Sequence, residues 1–311
     1  MKAKKKIKKI IVISLGIIFF LSTIITSDFN FTVERNDKYS LESVNLEFSK
    51  VSGKIHIVGD SGWADAEIAG ICTGNGTYTN PYLIEDLEID AGGVGSCIWI
   101  ENSSNYFMIL NCSLTNTEDS LTEAGITLYN VSNGYIINNT LYNSYLGFYL
   151  YISNNITIIG NSIKMPHTFG INIVNCDNIL AYLNNIRGSS WDLFFQDSTY
   201  RFYSEKEINY TYNDEGFTSY LGNYWRGYTY LDNNNDGIGD TPHIFYDGTP
   251  TYVDYYPLIT PTENYELNGG ASEEIPNGGA IPGYNLFLLL GILSIVSILI
   301  IKRIKSKSQQ P

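Results

Sequence analysis

Along the middle of the chain, apolar residues come in pairs separated by one residue, and the pairs return every 22 or 23 positions. Ile126/Leu128, Phe148/Leu150, Ile171/Ile173 and Leu193/Phe195 fall on one line, with Ile98/Ile100 at its start. A spacing of two turns both side chains to one face of an extended segment, so each pair marks a strand and not a helix. A second line runs Ile109, Ile136, Ile158, Ala181 and a third Leu114, Leu141, Ile163, Ile186, both keeping their offset from repeat to repeat. Three short strands per repeat follow. A unit of this length cannot bury its own apolar face, so neighbours must stack, and the predicted fold is a solenoid.

Polar positions share the period. Gly125, Gly147 and Gly170 open successive repeats, with Cys97 in the equivalent place of the first clear one. Asn133, Asn155 and Asn178 form one column; Asn139, Asn161 and Asn184 form another, headed by Cys112. Asn tolerates the left-handed backbone of a tight corner, and stacked amides can hydrogen-bond along a column. These corners predict a parallel β-helix, an all-β fold. A leucine-rich solenoid shares the period but needs a Leu ladder and a helix on its far side, and the repeats contain no helical stretch. Asp119 to Glu123 lengthen the first clear coil to 28 residues and must loop out. Glu118, Asp119 and Glu123 read as solvated loop residues.

The period also sets the organisation. Residues 28–50 read as a linker, 51–211 as the β-helix, and 212–261, where the period breaks, as a cap over an edge that would otherwise polymerise. Residues 262–283 are rich in Gly, Pro, Glu and Asn and read as a stalk. Lys4, Lys5, Lys6, Lys8 and Lys9 precede an apolar run from Ile10 to Ile25, so residues 1–27 read as a signal peptide or an N-terminal anchor. A second apolar run, Leu286 to Ile301, is followed at once by Lys302, Arg303, Lys305 and Lys307. That pattern predicts a transmembrane helix over 284–303 with a cytoplasmic tail at 304–311, and so a single-pass cell-surface protein.

Charge changes the choice of partner. The net charge is −13, yet the two ends hold ten of the 19 basic residues and none of the 32 acidic ones, which leaves −23 between them. Such a surface repels phosphate backbones, so nucleic acid is excluded as a partner, and acidic glycans are disfavoured. The 25 tyrosines and the low charged fraction of 16% suit a stack of strands.

Four sets of residues carry candidate chemistry. Asp232, Asn234, Asp236 and Asp240 place oxygens at alternate positions around Gly237, the pattern of a calcium loop, although the twelfth position is His243 and not Glu. Tyr142, Tyr145, Tyr149 and Tyr151 cluster in adjacent coils and could stack on sugar rings. Eight Asn-x-Ser/Thr sequons occur, and Asn75, Asn130 and Asn209 are the expected glycan acceptors. Cys72, Cys97, Cys112 and Cys176 could oxidise outside the cell in three pairings, and none has metal-ligand spacing. Enzyme signatures are weak, because Asp177, Asp192 and Asp197 share no column and Lys and Arg are scarce in the rod.

Three stretches carry a resemblance to a known family: Gly222-Asn223-Tyr224-Trp225, Asp232 to Pro242, and Val253-Asp254-Tyr255-Tyr256-Pro257-Leu258. Together they resemble the C-terminal signature of NosD-type β-helix proteins, within the wider group of carbohydrate-binding proteins and sugar hydrolases. Upstream, Gly76 to Glu85 looks like the entry phrase of many archaeal members. The resemblance implies a right-handed parallel β-helix on the cell surface. Three functional readings follow: a surface module binding glycans or envelope proteins, favoured by the rod, the tether and the absent catalytic set; a polysaccharide lyase, hydrolase or epimerase; and, from the family's namesake, a copper accessory. Copper prefers soft ligands, and His56, His167, His243, Met108 and Met165 are few and scattered, so copper is not expected here. Met165 and His167, with Cys176 in the next coil, are the nearest approach to a set.

Overall fold

The computed structural model describes residues 50–188, 191–245 and 252–268. Each coil contributes a strand to three stacked parallel sheets. The front sheet holds Ile55–Val58, Ile98–Ser103, the first half of Ala124–Ile137, Leu146–Tyr151, Phe169–Val174 and Trp191–Gln196. The side sheet holds Tyr82–Glu85, Phe107–Leu110, the second half of Ala124–Ile137, Asn154–Ile159, Asp177–Tyr182 and Tyr200–Arg201. The back sheet runs from Lys50–Ser52 to Tyr224–Trp225, with Thr140–Tyr142 and Ser162–Lys164 among its rungs. All pairing within these sheets is parallel.

The predicted columns are the observed register. Ile98 pairs with Ile126, Phe148 with Ile126 and Ile171, and Ile171 with Leu193. Ile136 pairs with Ile109 and Ile158, and Ile163 with Leu141 and Ile186. These lines point inward and form one continuous core. Apolar residue meets apolar residue along these lines, so packing one coil helps to pack the next.

The opening glycines have a steric cause. A Cβ on Gly147 would stand 2.3 Å from the carbonyl oxygen of Gly170, and one on Gly125 2.4 Å from Leu141. In these two coils no side chain fits at that place. In the first clear coil Cys97 is accommodated, its thiol donating to the carbonyls of Thr115 and Ile89.

The two Asn columns use different physics. Asn133, Asn155 and Asn178 are left-handed, with φ of 65°, 54° and 53°, and their exposed amides pass hydrogen bonds up the corner. In the other column the left-handed residue is the preceding one, Asn138, Gly160 or Leu183. Asn139, Asn161 and Asn184 instead bury their amides completely. Each Nδ2 donates to the next Oδ1, from Asn139 to Asn161, Asn184 and finally Asn223. Left-handed tolerance therefore explains only the outer column.

Some features depart from the sequence reading. A helix, Gly59–Ile68, is inserted in the first coil, where no helix is expected. Its short apolar content is spent on Trp63, which stacks on Tyr82 at 4.9 Å and donates to Ser103, and on Ala66. The loop acids are also not simply solvated. Glu118 accepts from the Gly95 amide, Glu123 from Ser96 and Asp119 from His167, which ties the insertion onto the rod. Near the other end, an antiparallel hairpin of Ile208–Tyr212 and Glu215–Ser219 interrupts the coils before Tyr224–Trp225 rejoins the back sheet. Tyr265–Leu267 pairs with that hairpin, so packed chain continues past Pro261 into the stretch read as stalk. The expected signal segment and transmembrane helix lie outside the described residues. Among the described residues no helix is long and apolar enough to cross a membrane.

Candidate functional site

Strand alternation that turns Ile126, Phe148 and Ile171 inward turns their neighbours outward. On the front sheet this makes two outer columns. The first is His56, Trp99, Thr127, Tyr149, Asn172, Phe194; the second is Val58, Glu101, Tyr129, Tyr151, Val174, Gln196. Tyr151 of the second column has its ring 5.4 Å from Tyr129 and 6.3 Å from Tyr149, nearly parallel to the latter. Phe194 packs against Phe169 at 5.4 Å, and Trp191 beside it is exposed. Burial raises the Tyr149 hydroxyl above the ordinary tyrosine range.

Of the four tyrosines singled out by sequence, the fold brings together Tyr149 and Tyr151. Tyr142 stands on the back sheet in a column with Lys164 and Thr115. Tyr145 sits at the corner, edge-on to His167. Tyr129, Asn172 and Phe194 belong to the face and were not singled out, although Tyr129 and Asn172 occupy the positions of Tyr151 and Tyr149 one coil away and Phe194 that of Tyr149 two coils away.

Two polar atoms on this face are buried without a partner. Asn172 is 7% exposed and its Oδ1 accepts no hydrogen bond; Trp99 Nε1 donates none. A buried polar group left unpaired costs about 1–3 kcal/mol, so both atoms would gain from a partner that reaches them. The Thr127 position between them is closed: its hydroxyl meets Ser96 and the Thr122 carbonyl under the 119–123 loop, and it is 1% exposed.

The Asp232–Asp240 loop is held by its own side chains. Asp232 accepts from the amides of Asp236 and Gly237, Asp236 from the amide of Ile238, and Asp240 from the amide of Asn233. Those bonds order the loop and leave its carboxylates further lone pairs. His243, at the twelfth position, lies against Trp225, Tyr228 and Phe245, where burial lowers it to about 4 and keeps it neutral. Asp254, a carboxylate from the neighbouring Val253–Leu258 stretch, is buried and fully bonded to Asn223, Trp225 and Tyr256.

The soft donors do not converge on a copper site. His56 pairs with Glu101, and His167 with Asp119 and Asn143. Met108 is buried and Met165 is exposed at a corner. Met165 and His167 precede the strand Phe169–Val174 and Cys176 follows it, so they sit at opposite corners of a coil and not side by side. All four cysteines are buried free thiols. Burial pushes Cys97 and Cys112 up to about 12, well away from the thiolate a metal requires. Among the described residues no group of three or more His, Cys, Asp or Glu is placed to hold a metal ion.

Neither the curated proteins nor the solved structures give a match to this chain. One family model does match, that of the periplasmic copper-binding protein NosD, over residues 28–230. With the parallel coils and the terminal Gly222–Trp225 and Val253–Leu258 segments packed as described, the chain belongs to the NosD family.

Proposed function

We propose that this chain is a membrane-tethered surface β-helix that binds carbohydrate through the outer aromatic face of its front sheet. The single observation carrying this reading is the set of rings at Tyr129, Tyr149 and Tyr151, packed side by side on an outward face. Flat rings with hydroxyl edges meet both the apolar faces and the hydroxyls of pyranoses. The family's periplasmic description and the basic and apolar ends of the chain support an extracytoplasmic position. The family's name also speaks of copper, but here the histidines and methionines stand apart from one another and the thiols are buried, which does not fit it, and no step is assigned to that metal. The test is a glycan array probed with the full-length chain. Binding is expected, with loss of most of the signal in Tyr149→Ala and Tyr151→Ala; a chain that binds no glycan overturns the reading.

The same exported position makes the sequons available, and the fold separates them. Asn130 spends its Nδ2 on Asn102, as Asn111 does on Asp86 and Asn155 on Asn133. Asn75 and Asn209 are exposed and use only Oδ1, which accepts from Thr77 and from Thr218. Peptide mapping of the chain from its native cells is expected to find glycan on Asn75 and Asn209 and none on Asn130. Glycan at Asn130 alone would contradict the ladder argument.

A further inference from the structure

We propose that Tyr149, Asn172 and Phe194 form a row of subsites for a linear, uncharged 1,4-linked glycan lying parallel to the axis along which the coils stack. This deepens the carbohydrate reading above and rests on it. The first outer column alternates aromatic and polar: Trp99, Thr127, Tyr149, Asn172, Phe194 on consecutive rungs. Rungs are about 4.8 Å apart, so the rings recur about every 9.6 Å. That period matches the disaccharide repeat of an extended 1,4-linked chain, in which alternate sugars turn the same face the same way. One sugar stacks on Tyr149, the next offers its hydroxyls to the polar rung, and the third stacks on Phe194.

The polar rung is the independent support. Asn172 Oδ1 is buried between its neighbours with no donor, and a turn of this outward-column side chain brings it to a sugar hydroxyl that supplies one. Tyr151 and Tyr129 in the second column wall the row on one side. The 119–123 loop closes it at Thr127, so the open row begins at Tyr149 and runs toward Phe194. Within the two columns the sole carboxylate is Glu101, already paired with His56 beyond that loop. The row itself carries no charge and the exported part of the chain is acidic, so it offers nothing to a polyuronate.

The test is a titration of the full-length chain in detergent with cello- and chito-oligosaccharides of two to six units, beside oligogalacturonates of the same lengths. Affinity for one of the neutral series is expected to rise about tenfold or more from the disaccharide to the tetrasaccharide and then level off, with no binding of the galacturonates. Asn172→Ala and Phe194→Leu, the latter keeping apolar bulk but no ring, are each expected to weaken the tetrasaccharide about tenfold. Tyr142→Ala, on the back sheet, is expected to leave it unchanged. Binding that does not depend on length, or that survives both row substitutions with circular dichroism unaltered, overturns the row while leaving the broader reading standing. Preference for the galacturonates overturns the row's specificity, and silence toward every glycan overturns both.

Discussion

Replacing Asn161 by leucine is expected to cost on the order of 3–6 kcal/mol, enough to unfold the middle of the rod. Asn161 is fully buried, and its amide serves both neighbouring coils. Its Oδ1 accepts from the backbone amide and the Nδ2 of Asn139, while its Nδ2 donates to the carbonyls of Ile136 and Ile159 and to Asn184. Leucine fills similar space but strands the Asn139 amide and the Ile136 carbonyl inside the core, each at about 1–3 kcal/mol. Asn161→Asp keeps the acceptor and replaces the donor with a buried negative charge facing three oxygens, so it is expected to be at least as harmful. Asn155→Ala is the contrast, because that residue is exposed and loses a left-handed preference plus surface amide bonds, about 1–2 kcal/mol. Urea unfolding followed by circular dichroism measures all three. A loss below about 1 kcal/mol for Asn161→Leu would mean that the buried ladder is dispensable.

That ladder also shows what the sequence could and could not say. Its three Asn residues, the inward lines and the corner glycines were legible because one coil's environment is copied in the next, so a constraint on one residue repeats at a fixed interval. The Gly59–Ile68 helix has no copy. It occurs once, buries only Trp63 and Ala66, and carries no apolar stripe to announce it. The Tyr142–Tyr151 grouping failed for a related reason: nearness in sequence stood in for position in the coil, and Tyr142 falls on another sheet. Applying the 22- and 23-residue offset to Tyr149 and Tyr151 would have found Asn172, Phe194 and Tyr129. Unpaired atoms such as Asn172 Oδ1 leave no trace in a sequence, because lacking a partner is a property of the packed neighbourhood.

The ladder ends on a charge, and Asp254→Ala is expected to loosen the cap by on the order of 3–5 kcal/mol. Asn223 passes the chain of amides to Asp254 Oδ2, which also accepts from the Asn223 backbone and from Trp225 Nε1, while Oδ1 accepts from Tyr256. Gly222 leaves the room, since a Cβ there would stand 2.2 Å from Oδ1. Two of the stretches that carry the family resemblance, Gly222–Trp225 and Val253–Leu258, are therefore the two halves of one lock. Burial pushes the Asp254 carboxyl up to about 6, against the four N–H donors that hold it down. A folded value above the unfolded 3.8 means that the folded state holds the proton more tightly. The group's contribution is then fullest below about pH 4 and is lost as pH rises through about 6, a swing of about 3 kcal/mol. The cost of Asp254→Ala should accordingly be larger at pH 4.5 than at pH 8, measured as the difference in urea midpoint between the variant and the parent chain. A cost that grows toward pH 8 would show the four donors outweighing desolvation, with Asp254 ionised throughout and the lock strongest when charged.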